Sequence, residues 1–243
     1  MSRSVLLTAA VEDTEPFREQ MQQEDFSLLH TPLERYRGVN DDGPVLDIIE
    51  ELDRFENIVH GSKRNARFFI EKVSEAGRLD QARRQLNLAV DQPTADYLES
   101  KGIPAIHPQA QGRAINLLEF MLRVRRMGET LYPCGDKTKE DLPGLLQELE
   151  MPVQELVLFT LEGPEEEALA RYQKQVLAEE PDIVVFHSRR SVNRTLAAYP
   201  DLNYNEATII TGDQAVTDKL EKEDIEADRQ ANGSWNSILE HLM

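Results

Sequence analysis

Short apolar, β-branched runs alternate along the chain with longer stretches in which apolar residues recur every third or fourth position. The short runs predict strands near residues 5–8, 57–61, 87–90, 105–107, 130–134, 156–161, 183–187 and 208–211. The longer stretches predict amphipathic helices over 64–75, 94–101, 114–126, 139–150, 165–179 and 214–223. Strand and helix in turn, from one end to the other, imply an α/β protein of open parallel sheets with right-handed crossovers.

Two places break the rhythm. Residues 28–43 run through Thr31-Pro32-Leu33 into the turn-rich Gly38-Val39-Asn40-Asp41-Asp42-Gly43, and Gly163-Pro164 follows the extended run at 156–161. Read as crossings between domains, they give a discontinuous domain of residues 1–33 and 163–243 and an inserted domain of residues 34–162.

The two halves also repeat one another. DQPTADYLESKGI, from Asp91, lies without gaps over DQAVTDKLEKEDI, from Asp213, with six of thirteen positions identical. Upstream, IVHGSKR from Ile58 lies over VVFHSRR from Val184, which sets Ser62 on Ser188 and the basic pair Lys63-Arg64 on Arg189-Arg190. Matching order and similar spacing point to duplicated domains. All four landmarks fall where a strand gives way to a helix, the end of a parallel sheet at which ligands bind, so the site is expected in a cleft between the halves.

Ser62 and Ser188 can each cap a helix or offer a hydroxyl and backbone N–H groups to an anion. Asp91 and Asp213 suit N-caps, with a carboxylate pointing into the cleft as the other reading. The basic pairs are either solvated helix surface or positive charge beside the ligand.

The composition limits the function classes. With 27 Lys and Arg against 45 Asp and Glu, the 243-residue chain carries a formal charge of −18, which disfavours nucleic acid and anionic membranes as partners. Arginines outnumber lysines 19 to 8, which suits a high-salt interior, although a merely solvated acidic surface accounts for it as well. The single cysteine, Cys134, permits no internal disulfide or thiolate metal cluster and reads as a small buried apolar residue in a cytoplasmic protein. Histidines 30, 60, 107, 187 and 241 show no metal-ligand spacing. The first apolar run is too short for a signal-peptide core or a membrane span.

A strand ending in a serine, followed by a strand and V-G-x-x-T-A-x-x-L-x-x-x-G, once per half, resembles the uroporphyrinogen-III synthase family. Val90-Asp91-Gln92-Pro93-Thr94-Ala95-Asp96-Tyr97-Leu98 keeps the spacings, with Asp91 for the family's glycine and Gly102-Ile103 closing the helix. The openings Val5-Leu6-Leu7-Thr8 and Thr31-Pro32-Leu33, and Gly135 before the next helix, also fit. The resemblance implies two similar flavodoxin-like or Rossmann-like domains joined by a two-stranded connector. It implies a cytoplasmic, monomeric lyase of haem biosynthesis, without metal or cofactor, whose substrate is the linear tetrapyrrole hydroxymethylbilane. That substrate loses water, its last pyrrole ring is inverted, and the macrocycle closes.

Carried over residue by residue, the resemblance makes Ser62, Thr94 and Ser188 substrate-binding positions. Lys63, Arg64, Arg189 and Arg190 are secondary ones, and Phe159, Val216 and Thr217 stand at further motif positions. Phe159 occupies the place of the family's usual tyrosine and Val216-Thr217 that of its Thr-Ala pair. A phenylalanine has no proton to give, so His60 and His187, just before the two serines, become candidate proton donors. The alternative is a non-catalytic cleft-binding homologue of the same fold; a sugar or amino-acid binding protein is disfavoured, since no aromatic sugar platform is evident.

Overall fold

In a computed structural model the residues described are 3–23, 26–39, 42–108, 114–123, 128–137 and 142–243. The chain divides into two compact units, Met1–Tyr36 with Glu162–Met243, and Arg37–Leu161. It opens with β1 (Arg3–Leu7), α1 (Glu15–Gln23), β2 (Phe26–His30) and β3 (Arg35–Gly38). Then come α2 (Asp42–Glu50), β4 (Asn57–His60), α3 (Lys63–Glu75), α4 (Leu79–Arg84), β5 (Leu86–Ala89), α5 (Gln92–Ser100) and β6 (Ala105–Ile106). After α6 (Ala114–Arg123), β7 (Thr130–Gly135), α7 (Leu142–Glu148) and β8 (Val153–Glu162), the chain is back in the first unit. There α8 (Glu166–Glu179), β9 (Ile183–Phe186), α9 (Arg189–Ala198), β10 (Thr208–Thr211), α10 (Gln214–Glu221), β11 (Arg229–Gln230) and α11 (Trp235–Leu242) complete it.

The first unit's sheet has the order β11-β10-β9-β1-β2, with every pair parallel. Alternation along these strands makes two cores. Leu6, Leu29, Val184, Phe186 and Ile209 pack on one face with Val176, Val192, Val216 and Leu220 from α8, α9 and α10. Val5, Leu7, Ile183, Val185 and Ile210 pack on the other with Phe17 and Met21 of α1 and Ile238 and Leu242 of α11. Both faces are therefore covered, which is why strands such as Ile183-Val184-Val185-Phe186 read as unbroken apolar runs.

The second unit's sheet runs β3-β8-β7-β4-β5-β6, parallel from β8 through to β6. One of its faces holds Val59, Leu88, Val90, Tyr132 and Cys134 against Leu117, Leu118 and Met121 of α6 and Leu142 and Leu146 of α7. The Cys134 thiol lies 3.8 Å from the Glu155 carboxylate. Burial and that neighbouring charge push it up to about 12, so it is an unreactive core residue.

One expectation needs correcting. Leu28-Leu29-His30 is the carboxyl half of strand β2, paired with β1 through Leu7 and His30, not part of an irregular crossing. Asn40 and Asp41, and parts of the helices expected at 114–126 and 139–150, lie outside the described residues.

Candidate functional site: the carboxyl edges of two repeated sheets

The repeat read from the sequence is a repeat of geometry. In the second unit β4 ends at His60, and Ser62, extended at φ −166° and ψ 161°, caps α3 by accepting from the Asn65 N–H. In the first unit β9 ends at Phe186, and Ser188, at φ −158° and ψ 159°, caps α9 by accepting from the Ser191 N–H, while Ser191 returns a bond as a capping box. Asp91 caps α5 through the Thr94 N–H, and Asp213 caps α10 through the Val216 N–H, each at 2.9 Å.

Both aspartates are thus turned onto their own helices, where they offset the dipole and occupy a donor. Even the bond between the two turns is duplicated. The Val90 N–H donates to the His60 carbonyl at 3.1 Å, and the Gly212 N–H donates to the Phe186 carbonyl at 2.8 Å.

The polar candidates separate by burial. Ser62, Arg64, His187, Ser188, Arg190 and Thr217 are partly exposed at these edges, and Lys63 and Arg189 are exposed. The Lys63 ammonium lies 5.6 Å from the centre of the Tyr97 ring. The Thr217 hydroxyl is 2.7 Å from that of Thr211 and 3.1 Å from Gln230 Oε1. His187 stacks on Trp235, the first residue of α11, at 5.5 Å.

Four other expected site residues are placed in the core. Thr94 and Val216 are 0% and 1% exposed, because the third residue of a capped helix here turns its side chain back onto the sheet. Phe159 is buried by its stack on Phe68, at 4.6 Å between ring centres. His60 is fully buried on the central strand β4, donating from Nε2 to Asn87 Oδ1 at 3.2 Å. The direction is set by Asn87, whose amide already donates to the Ala82 and Gln85 carbonyls. Loss of hydration lowers His60 to about 4. It is therefore neutral at pH 7 and shielded from solutes, which makes it a structural residue in place of the expected acid.

No motif or spacing in the sequence marks Tyr132. Its side chain crosses from β7 to the β4–α3 turn, where a Cβ on Gly61 would stand 2.4 Å from its hydroxyl oxygen. Position 61 holds glycine because that phenol fills the space of a side chain, whereas the equivalent residue of the other repeat is His187. Gly61→Ala is expected to cost about 1–3 kcal/mol through overpacking. Urea unfolding should show the cost reduced by more than half in a Tyr132→Phe background; equal costs in both backgrounds would refute the contact.

The model of the uroporphyrinogen-III synthase HemD family matches residues 15–234. The chain belongs to the uroporphyrinogen-III synthase family. Members of that family are tetrapyrrole-biosynthesis enzymes of the cyclising lyase type, acting on a small-molecule tetrapyrrole.

Two solved uroporphyrinogen-III synthases share the fold. A mutant form of the Thermus thermophilus enzyme is 17% identical over all of this chain and 97% of its own, with a TM-score of 0.65. The Helicobacter pylori enzyme is 15% identical over all of this chain and 98% of its own, with a TM-score of 0.69. No curated protein matches by sequence. Among the described residues, no helix is long and apolar enough to cross a membrane.

Proposed function

We propose that the chain cyclises hydroxymethylbilane to uroporphyrinogen III, releasing one water and inverting the last pyrrole ring, as a cytoplasmic monomer that binds no nucleic acid. The observation that carries this reading is the duplicated carboxyl edge. Two Ser-capped and two Asp-capped helices of matching geometry each begin beside a strand end, within a chain whose family match spans nearly its whole length.

The chemistry asks little of any one side chain. The electron-rich pyrrole expels the hydroxyl, so the protein's main task is to hold the linear substrate folded while the inverted ring attacks. Ser62 and Ser188, with first-turn backbone N–H groups of α3 and α9, suit substrate carboxylates, and Lys63, Arg64, Arg189 and Arg190 add positive charge. Thr217 supplies a hydroxyl where Val216 has none. Of the two histidine candidates, His187 is the partly exposed one, and it is the proposed donor of the proton that leaves with the hydroxyl as water.

Charge opposes binding. The first unit has 11 Lys and Arg against 24 Asp and Glu, and the second has 16 against 21, so most of the −18 resides in the first. A substrate bearing many carboxylates is repelled until salt shortens the screening length to about 3 Å at 1 M. The expected result with freshly made hydroxymethylbilane is uroporphyrinogen III as the main isomer, with kcat/KM rising severalfold from low salt to about 1 M. Isomer I alone at every salt concentration would refute the synthase reading in favour of a non-catalytic homologue.

A further inference from the structure

In the repeat alignment Arg194 takes the position of Phe68, each lying six residues after the serine that caps its helix. The two side chains have opposite chemistry and the same target. Arg194, on α9, donates from Nη1 to the Leu33 carbonyl at 2.6 Å and to the Glu162 carbonyl at 3.2 Å. Its Nε lies 3.7 Å from the carboxylate of Glu34, which is only 5% exposed. Leu33 and Glu34 immediately precede β3, and Glu162 ends β8. One guanidinium thus holds both strands that carry the chain between the units, at their first-unit end.

Phe68, on α3, reaches the same two strands at their other end. Its ring stacks on Phe159 of β8 at 4.6 Å and 23°. It also lies 3.6 Å from where a Cβ on Gly38, the last residue of β3, would stand.

The difference in chemistry follows from the backbone. At the Phe68 end the two strands bond to each other, as in Val39 N–H to the Leu158 carbonyl at 3.0 Å. There the backbone is satisfied and a ring can pack on it. At the first-unit end Arg194 meets the carbonyls of Leu33 and Glu162, which accept from hydrogen-bond donors and not from a ring. A guanidinium supplies several in a fixed fork, which a lysine cannot match.

We propose that Arg194 and Phe68 are a matched pair of positioning residues that tie the connecting strands to α9 and α3. Those helices begin at Ser188-Arg189-Arg190 and Ser62-Lys63-Arg64, so a change in the connector is passed to the substrate-binding turns. The kinetic part of this inference rests on the synthase reading; the structural part does not.

The test uses the full chain with Arg194→Met, Arg194→Lys and Phe68→Leu, and reads amide hydrogen exchange together with KM and kcat for hydroxymethylbilane. Arg194→Met is expected to speed exchange at residues 35–38 and 160–162 at least tenfold, with β1 and β9 within twofold of wild type. KM should rise at least threefold with kcat within twofold, and Arg194→Lys should fall between. Phe68→Leu should act likewise at residues 37–39 and 158–160, with β4 and β5 unaffected.

Unchanged connector exchange would overturn the clamp, as would equal acceleration in β1 and β9, which marks general destabilisation. Faster connector exchange with unaltered KM would overturn the coupling. If Arg194→Met does not fold, Arg194→Lys decides both points. A wild-type chain that forms no uroporphyrinogen III would refute the synthase reading while the exchange arm still decides the clamp.

Discussion

Gly212→Ala is expected to destabilise the protein by roughly 2–3 kcal/mol, with no second substitution able to restore it. An added Cβ at this position would stand 2.6 Å from the His187 carbonyl oxygen and 3.0 Å from its carbon. Both are backbone atoms of the turn that begins α9, and the Gly212 N–H is itself bonded to the Phe186 carbonyl at 2.8 Å. The two turns therefore cannot separate without losing a ladder bond and shifting His187 and Ser188 together. Position 61 differs, because there the obstacle is the end of the Tyr132 side chain. Urea unfolding curves of Gly212→Ala should show the loss directly. Cyclisation should fall further than the folded fraction, since the displaced turn carries the proposed proton donor. A variant within about 0.5 kcal/mol of wild type, with full activity, would show that the two turns are not in contact.

What the sequence made legible was local. A serine or aspartate ahead of an amphipathic stretch is a cap whatever surrounds it, so Ser62, Asp91, Ser188 and Asp213 could be located from the repeat alone. Burial is not local, and spacing along the chain does not show that His60, Thr94, Val216 and Phe159 are buried. His60 looked available because histidine is polar, yet β4 runs between β7 and β5 and all four of its residues are buried. The repeat held the missing signal: the residue equivalent to His60 is Phe186, and the residue equivalent to Thr94 is Val216. An apolar residue in one copy marks an inward-facing position in the other. Strand β2 escaped for a different reason, since Phe26-Ser27-Leu28-Leu29-His30 runs straight into Thr31-Pro32 and its register is set only by β1. Tyr132 and Trp235 act through contacts across the fold that no spacing along the chain reveals.

The same equivalence yields a pH dependence. In the second unit Asn87 pairs in register with Ile58, and in the first unit Ile209 pairs in register with Val184. The buried pair His60–Asn87 of one copy is thus Phe186 and Ile209 in the other. His60 falls from its ordinary 6.5 to about 4 on burial, so between those values the unfolded chain binds a proton that the folded chain refuses. Stability from this group is complete above about pH 6.5, falls as pH drops through the window and levels off below about 4, a total of roughly 3 kcal/mol. Transplanting the first unit's residues, His60→Phe with Asn87→Ile, removes the titrating group. It also takes the Asn87 amide from the Ala82 and Gln85 carbonyls, so the variant's stability at pH 7.5 is free to differ. Its slope is what the burial of His60 fixes. Between pH 7.5 and 4.5 the wild type should lose roughly 2–3 kcal/mol more than the double variant, because carboxylates and the remaining histidines titrate in both. Urea midpoints taken at half-unit steps of pH would show the wild-type curve falling more steeply than the variant's as pH drops. Parallel curves would mean that His60 is hydrated and titrates normally, and would return it to the list of possible proton donors.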